Sequence, residues 1–518
     1  MVGTTLPAVA GHCAGDIHVH CNQFGDDGHD SIAEQAVEAR KRGLRWIVIT
    51  AHAQRMRADD WAGLVAGCAR ATAREGVTVI PGLEVSTRRE YARRPATFAY
   101  RAPAGAPLTS WVECGGGRYH HAPLGFSFPF YAAPRTSMCV SASGFLSFPP
   151  AASAIPSPAA PRGLIAPLWY HGEPAADVAV WVDRQVPGEL RITWIRDTPR
   201  RQAFQARLVH TGDVYFYYQA VGRFGTPTVG VLDDRGEYGA SYSGTLADGM
   251  GLKFYAGADS HYLALGPRAF LPNPDPERRT GPEIADAVRG CPHSGIGIVA
   301  HPFLQAYPWQ YWTTGAGDAG ATVCGVGGIE LVSGGLATRA PRRSLLRWDA
   351  LLRCGLPRTL GGGGFAVGVA GSDDHDVLNV STLGNNVTWV QAPSPAPAPA
   401  PAAILAALRA GRCFASSDGS MTTFTAEVAG TRYPAGSVVA VAPGQPVALA
   451  GTAHSAHGHD IMGVTVISDG APLATLASRG GSWSCQTTVN GDGYFRVVLI
   501  AHDGAARHSY SNPIFFRT

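Results

Sequence analysis

The sequence predicts a parallel α/β domain interrupted by one β-sandwich and followed by another. Three observations carry this. Short apolar strands alternate with amphipathic helices from residue 15 to about 87, and the alternation resumes after about 253. Between them lies a long stretch of short alternating runs rich in aromatics, Gly and Pro. From about 421 onward the same strand-and-turn pattern returns. Alternating strands and helices imply parallel strands with helices packed outside, whereas short alternating strands spaced by turns imply antiparallel sandwiches. At 518 residues the chain is also too long for a single core. The expected segments are 1–89, 90–252, 253–420 and 421–518.

DIHVH (16–20) reads as a short strand, SIAEQAVEARKRG (31–43) as a helix ending at Gly43, and RWIVIT (45–50) as a buried strand. DDWAGLVAGCARATAREG (59–76) gives a second helix and VTVIPGLEVS (77–86) a third strand with a turn. In 90–252, runs such as SMCVSASGFLSF, DVAVWVD, LRITWI, AFQARLV and DVYFYYQAV alternate with period two, and no helix is expected. The later alternation comprises PEIADAVRG (helix), GIGIVAHP (strand), GGIELVSG (strand), PRRSLLRWDALLRCG (helix) and FAVGVAGSDDH (strand). PSPAPAPAPAA (393–403) reads as a surface loop, with a stiff polyproline linker as the alternative, because the helix AAILAALRAG follows at once. TFTAEVAG, VALAGTA, IMGVTVISD, YFRVVLIAH and NPIFF are the strands of the last segment.

Composition excludes several roles. A net charge of +3 gives no field for a polyanion, and only Lys41 and Lys253 among the 42 basic residues are lysines. No nucleic-acid-binding motif is present. No stretch approaches the ~20 apolar residues of a membrane span. The ten cysteines are scattered without a C-x-x-C pair, so isolated buried thiols are expected, with a few disulfides as the alternative. LPAVA near the start resembles the tail of a signal peptide, which would place the protein in the periplasm or outside the cell, with the cytoplasm the other option.

Chemistry concentrates at strand ends. His18 and His20 lie two apart on a strand and so project from one face, although about 0.6 such pairs are expected by chance. His52, Glu84, His261, His301, Asp373 and His375 also fall at or just beyond strand ends, where ligands of α/β folds gather. Asp26 and Asp27 lie in the loop after the first strand. Imidazoles and carboxylates in this number exceed one ion's needs and suit Zn, Mn or Fe better than calcium. Two or three divalent ions sharing a carboxylate would account for them, and water bound there would lose its proton near neutral pH and become the nucleophile.

The ordered series DIHVH, ITAH, PGLEVS, SHYLALG, VAHP and GSDDH resembles the polymerase and histidinol phosphatase (PHP) superfamily of metal-dependent hydrolases, over roughly 12–90 and 253–415. The resemblance implies a distorted (β/α)7 barrel with two or three metals at the strand C-termini. It implies that His18, His20 and Asp373 hold one metal, that Glu84 bridges two, and that His261 and His301 complete the second. His52 and His375 would hold a third, with Asp27 as the further ligand and Asp26 in reserve. Asp373, His301 and Glu84 would be catalytic. The family's Thr-Asp-His appears here as Thr50-Ala51-His52, which removes a supporting carboxylate. Residues 90–252 resemble the nidogen-like β module of secreted proteins, and the segment ending SYSNPIFF resembles the β domain of the carbaryl-hydrolase-like (CehA/McbA) branch.

The resemblance therefore implies hydrolysis of a phosphomonoester or phosphodiester, with a carbamate, amide or ester as the alternative substrate class. A secreted binding protein on a degenerate barrel is the competing class of function. Asp16 and Asp374 are read as supporting carboxylates, and Arg55 and Arg57 as surface residues rather than phosphate ligands. His120, His121 and His293 read as loop or surface residues. His454, His457 and His459 read as a solvated loop rather than a metal tract.

Overall fold

The computed structural model describes residues 6, 9–87, 91–114, 117–131, 133–148, 163–169, 177–197, 201–222, 227–233, 239–256, 260–271, 281–290, 295–304, 327–334, 340–354, 365–379, 382–392, 398–456, 458, 460–477, 481–502 and 506–518. His293, His457, His459 and positions 393–397 of the Pro-rich stretch lie outside them. The chain forms two compact units, Met1–Thr87 with Ser260–Thr518, and Arg88–Asp259.

The first unit opens with β1 (His12–Val19), α1 (Ile32–Lys41), β2 (Trp46–His52), α2 (Ala58–Glu75) and β3 (Thr78–Ser86). Ser31 starts α1 through a capping box: its Oγ accepts from Glu34 N, while the Glu34 carboxylate accepts from Ser31 N. Gly76, at φ +69°, ends α2 in the left-handed conformation that glycine adopts without strain. β1, β2 and β3 pair in parallel, and every residue of β2 is buried, as its unbroken apolar run requires.

Next come β4 (His261–Leu265), α3 (Gly281–Gly290), β5 (Ile296–Val299), β6 (Gly328–Ser333), α4 (Ala340–Cys354) and β7 (Val367–Gly371). β5, β6 and β7 are mutually parallel. β4 departs from the parallel alternation expected from sequence, because it runs antiparallel to both β3 and β5. The physical reason is the connection. Thr87 N donates to Ser260 O (2.9 Å) and Ser260 N to Thr87 Oγ1 (3.0 Å), so the chain re-enters where it left and must run back down. At the far side of the sheet, the segment after β7 returns to β1: Asp373 N donates to His18 O and His20 N to Asp374 O. The C-terminal ends of the first and last strands of the run thus meet.

On its other edge β1 pairs antiparallel with β8 (Val387–Gln391), which pairs with β9 (Cys413–Ser416) after α5 (Pro401–Arg409). α5 starts with Pro at its first turn, where the missing N–H costs nothing. β9 continues the sheet into Ala506–Ser511, Gly493–His502, Asp460–Ser468 and Ala471–Leu476, and a five-stranded sheet includes Gln445–His454 and Ser482–Val489. A buried ion pair ties α4 to this region: Asp349 accepts from Arg496 Nε and Nη2 and from Tyr494 Oη, each at 2.8 Å.

The second unit has a six-stranded and a seven-stranded sheet, antiparallel where paired, and no helix among its described residues. Leu124, Phe128, Phe130 and Leu168 from one sheet share a core with Ile192, Trp194, Phe216 and Phe254 from the other. Its first strand, Tyr91–Ala96, pairs with its last, Met250–Ala256. Among the described residues, Cys13, Cys21, Cys68 and Cys413 are buried free thiols, and no helix is long and apolar enough to cross a membrane.

Candidate metal centre

The strand ends of the first unit bring the candidate residues together. His18 lies near the end of β1 and His20 just after it; His52 ends β2 and is paired in register with Glu84 of β3. β4 runs in reverse, so its first residue, His261, lies beside Ser86 at the same end of the sheet. His301 follows β5, and Asp373 and His375 follow β7. His301 (φ +24°) and Asp373 (φ +55°) both adopt left-handed backbone, uncommon for residues with a Cβ.

Three donor sets share members. In the first, His18 Nε2, His20 Nε2 and Asp373 Oδ1 are 3.2–3.4 Å apart, and Glu84 Oε1 and Oε2 lie 3.5 and 3.2 Å from the two histidines. Three donor atoms 3.2–3.4 Å apart can all lie about 2.0 Å from one point, the length of a Zn–N bond. In the second, Glu84 Oε1 lies 2.6 Å from His261 Nδ1 and 3.3 Å from His301 Nε2, with the nitrogens 3.3 Å apart. In the third, Asp27 Oδ1 lies 3.3 Å from His375 Nε2 and 3.4 Å from His52 Nε2, with His20 also adjacent. Asp27 Oδ1 is buried yet makes no hydrogen bond, which suits an atom aimed with its neighbours at a common centre. Asp27, not Asp26, is the carboxylate placed there.

The electrostatics point the same way. Burial opposes charge on Glu84, but His261, His52 and His18 outweigh it and hold the carboxyl well below its usual range. Desolvation opposes charge on Asp373 too, but His18, His20 and His301 hold it low. Burial opposes charge on His18 and His20 too, yet Asp373, Glu330 and Glu84 around the one, and Asp26 around the other, raise both well above the ordinary histidine value. At His261 burial, with His301 and His52 adding to it, outweighs Glu84 and lowers the imidazole. Carboxylates this close together need positive charge between them, and protons on imidazole occupy the role a divalent cation can take. The donor set, spacing and charge all fit divalent metal.

Several carboxylates hold the donors in place. Asp26 accepts from Cys21 N and His52 N at 3.0 Å each and lies 3.2 Å from His20 Nδ1, so it ties the ends of β1 and β2. Asp16 accepts from His18 N and Ser372 N, and Asp374 from Thr382 and Leu383 N–H groups and from Gln35 Nε2. Sequence reasoning missed Glu330 in β6. Its Oε1 lies 3.0 Å from His18 Nδ1 and its Oε2 accepts from His301 N at 2.6 Å. With Nδ1–H given to Glu330, His18 presents Nε2 to the first donor set. The available signal was a lone carboxylate inside the apolar run GIELV.

Other candidates lie elsewhere. His120 and His121 sit on the second unit's strand Gly117–Phe130, and His454 Nε2 is 3.0 Å from Thr452 Oγ1 in Gln445–His454. Arg57 caps α2, its backbone N donating to Asp60 Oδ2 at 2.8 Å. Arg55 reaches the site: its Nη1 is 3.2 Å from Asp27 Oδ2.

No family model matches the chain, and no curated protein does. A solved two-domain protein from Bacteroides vulgatus ATCC 8482, described as containing a predicted PHP-like metal-dependent phosphoesterase, aligns with 96% of this chain and 93% of its own. The identity is 11% and the TM-score 0.35. So low a score carries no functional weight, which falls instead on the converging side chains.

Proposed function

We propose that the chain is a metal-dependent hydrolase of PHP type that cleaves phosphoesters. The observation that carries the reading is the sharing of His20 and Glu84 among overlapping donor sets at one end of the strands. His18, His20, Glu84 and Asp373 would hold one ion, and Glu84, His261 and His301 a second. Asp27, His52 and His375, beside His20, would hold a third. Zn, Mn or Fe suits such donors. Divalent ions bound there would polarise a phosphoryl oxygen and lower the pKa of water.

The chain's own residues do the rest. Glu84 sets Oε1 against His18, His261 and His301 and Oε2 against His20, and so ties two of the donor sets together. Asp373 is partly open to solvent at 21% side-chain exposure and would hold its ion at the rim where water enters. His301 and His261 complete the far side of the site, and Glu330 and Asp26 keep His18 and His20 in their working orientation. The nidogen-like resemblance of 90–252 goes with a setting outside the cytoplasm.

The test is hydrolysis of an aryl phosphomonoester, an aryl phosphodiester and an aryl carbamate by Mn- or Zn-reconstituted protein, with Asp373→Ala alongside. Phosphoester turnover lost in the variant is expected. Carbamate turnover alone would move the chain to the carbaryl-hydrolase-like reading. Less than one metal per chain after reconstitution would favour a binding protein.

A further inference from the structure

We infer that Arg55 grips an oxygen of the substrate at the mouth of the donor cluster and selects phosphomonoesters over phosphodiesters and neutral esters. This deepens the phosphoesterase reading and rests on it. The mouth is defined by exposure. His18, His20, Glu84, His52, His261 and His301 are all buried, whereas the side chains of Asp373, Asp27 and His375 are 21, 34 and 37% exposed and that of Arg55 is 46% exposed. Among the described residues, that is the side of the cluster open to solvent. Among the described residues, Arg55 is the only lysine or arginine in an ion pair with a carboxylate of the cluster.

One guanidinium nitrogen, Nη1, meets Asp27 Oδ2 at 3.2 Å, and the side chain makes no other polar contact among the described residues. A guanidinium carries five N–H donors in a planar fork that matches phosphate oxygens, so donors remain for an incoming anion. The backbone below is fixed relative to the site. Arg55 N donates to His52 O at 3.0 Å, and Gly25, at φ +77°, lies so close that a Cβ there would fall 2.9 Å from Arg55 O. The preference follows from counting oxygens. A phosphomonoester has three non-bridging oxygens and a diester two, so with two committed to the donor cluster only the monoester has one to spare for Arg55.

The experiment compares metal-reconstituted wild type, Arg55→Ala and Arg55→Lys. Inorganic phosphate binding is measured by calorimetry, metal content by elemental analysis, and kinetics with an aryl phosphomonoester, an aryl phosphodiester and an aryl acetate. In Arg55→Ala, phosphate affinity is expected to fall about 10- to 100-fold, the scale of a lost charge-assisted contact. KM for the monoester should rise by a similar factor, with kcat changing less. The diester and acetate should change less than about threefold, metal content should hold, and Arg55→Lys should recover part of the loss. Equal losses on all three substrates, unchanged phosphate affinity, or a fall in metal content would overturn the inference, since Arg55 would then only steady Asp27. If the wild type binds phosphate through Arg55 yet hydrolyses no phosphoester, Arg55 is an anion-binding residue only, and the phosphoesterase reading and the monoester preference fail together.

Discussion

Glu330→Gln should weaken metal binding at the first donor set by about 10- to 100-fold while leaving the fold intact. The carboxylate receives two donors on opposite oxygens, His18 Nδ1–H at 3.0 Å and the backbone His301 N–H at 2.6 Å. An amide of the same shape has one oxygen and one NH2, so one of those donors must face another donor. A hydrogen bond to a charged group contributes about 1.5–3 kcal/mol, and 1.4 kcal/mol is tenfold in affinity, which brackets the loss expected when a metal ligand's partner is removed. Competition with a chromogenic chelator for Zn or Mn reads the affinity, and circular dichroism monitors the fold. Gly371→Ala is an independent route to the same defect. A Cβ there would lie 2.6 Å from Glu330 Oε1 and 2.7 Å from His18 Cβ, forcing the pair apart. A change below about threefold in both variants would refute the idea that Glu330 orients His18.

Further outcomes are expected. Asp373→Asn should fold normally, because Asn tolerates the left-handed backbone that Asp373 adopts, but should lose at least one metal per chain by elemental analysis. Gly28→Ala removes no donor, yet a Cβ at 28 would sit 2.5 Å from Cys21 N and 2.6 Å from the His20 carbonyl carbon. It should therefore loosen the third donor set, read as metal lost preferentially at low chelator concentration. Asp349→Ala should cost about 3–5 kcal/mol in denaturant unfolding, because it strands Arg496 without its buried partner, whereas Asp349→Leu with Arg496→Met should recover most of that.

Much of the site was legible because strand ends carry it. His18 and His20 follow from period-two geometry, and His52 and Glu84 from apolar runs that end in polar residues. The helices read over 31–43 and 59–76 match α1 and α2 to within a residue or two. Three things were hidden, each for a physical reason. The reversal of β4 depends on Thr87 meeting Ser260, a pairing between residues far apart in sequence. The division of labour between Asp26 and Asp27 depends on loop conformation, where Phe24 and Gly25 both turn left-handed. Glu330 sits inside an apolar strand, and only the three-dimensional neighbourhood of His18 and His301 shows that it faces donors rather than hydrocarbon.

The adjacency of Thr87 and Ser260 also bears on how such a chain can fold. β3 and β4 form a hairpin whose loop is an entire folded body, Arg88–Asp259. Were that body a random coil, closing the hairpin would carry the entropy of a very long loop. Because its own first and last strands pair, Tyr91 opposite Ala256, its ends are already held side by side once it has folded. The effective loop shrinks to the few residues at each junction, a saving of about 3 kcal/mol on logarithmic scaling of loop closure. Early folding of the intervening body would thus speed formation of the hairpin that carries Glu84 and His261, and a body of any sequence with paired ends would serve this purpose equally well.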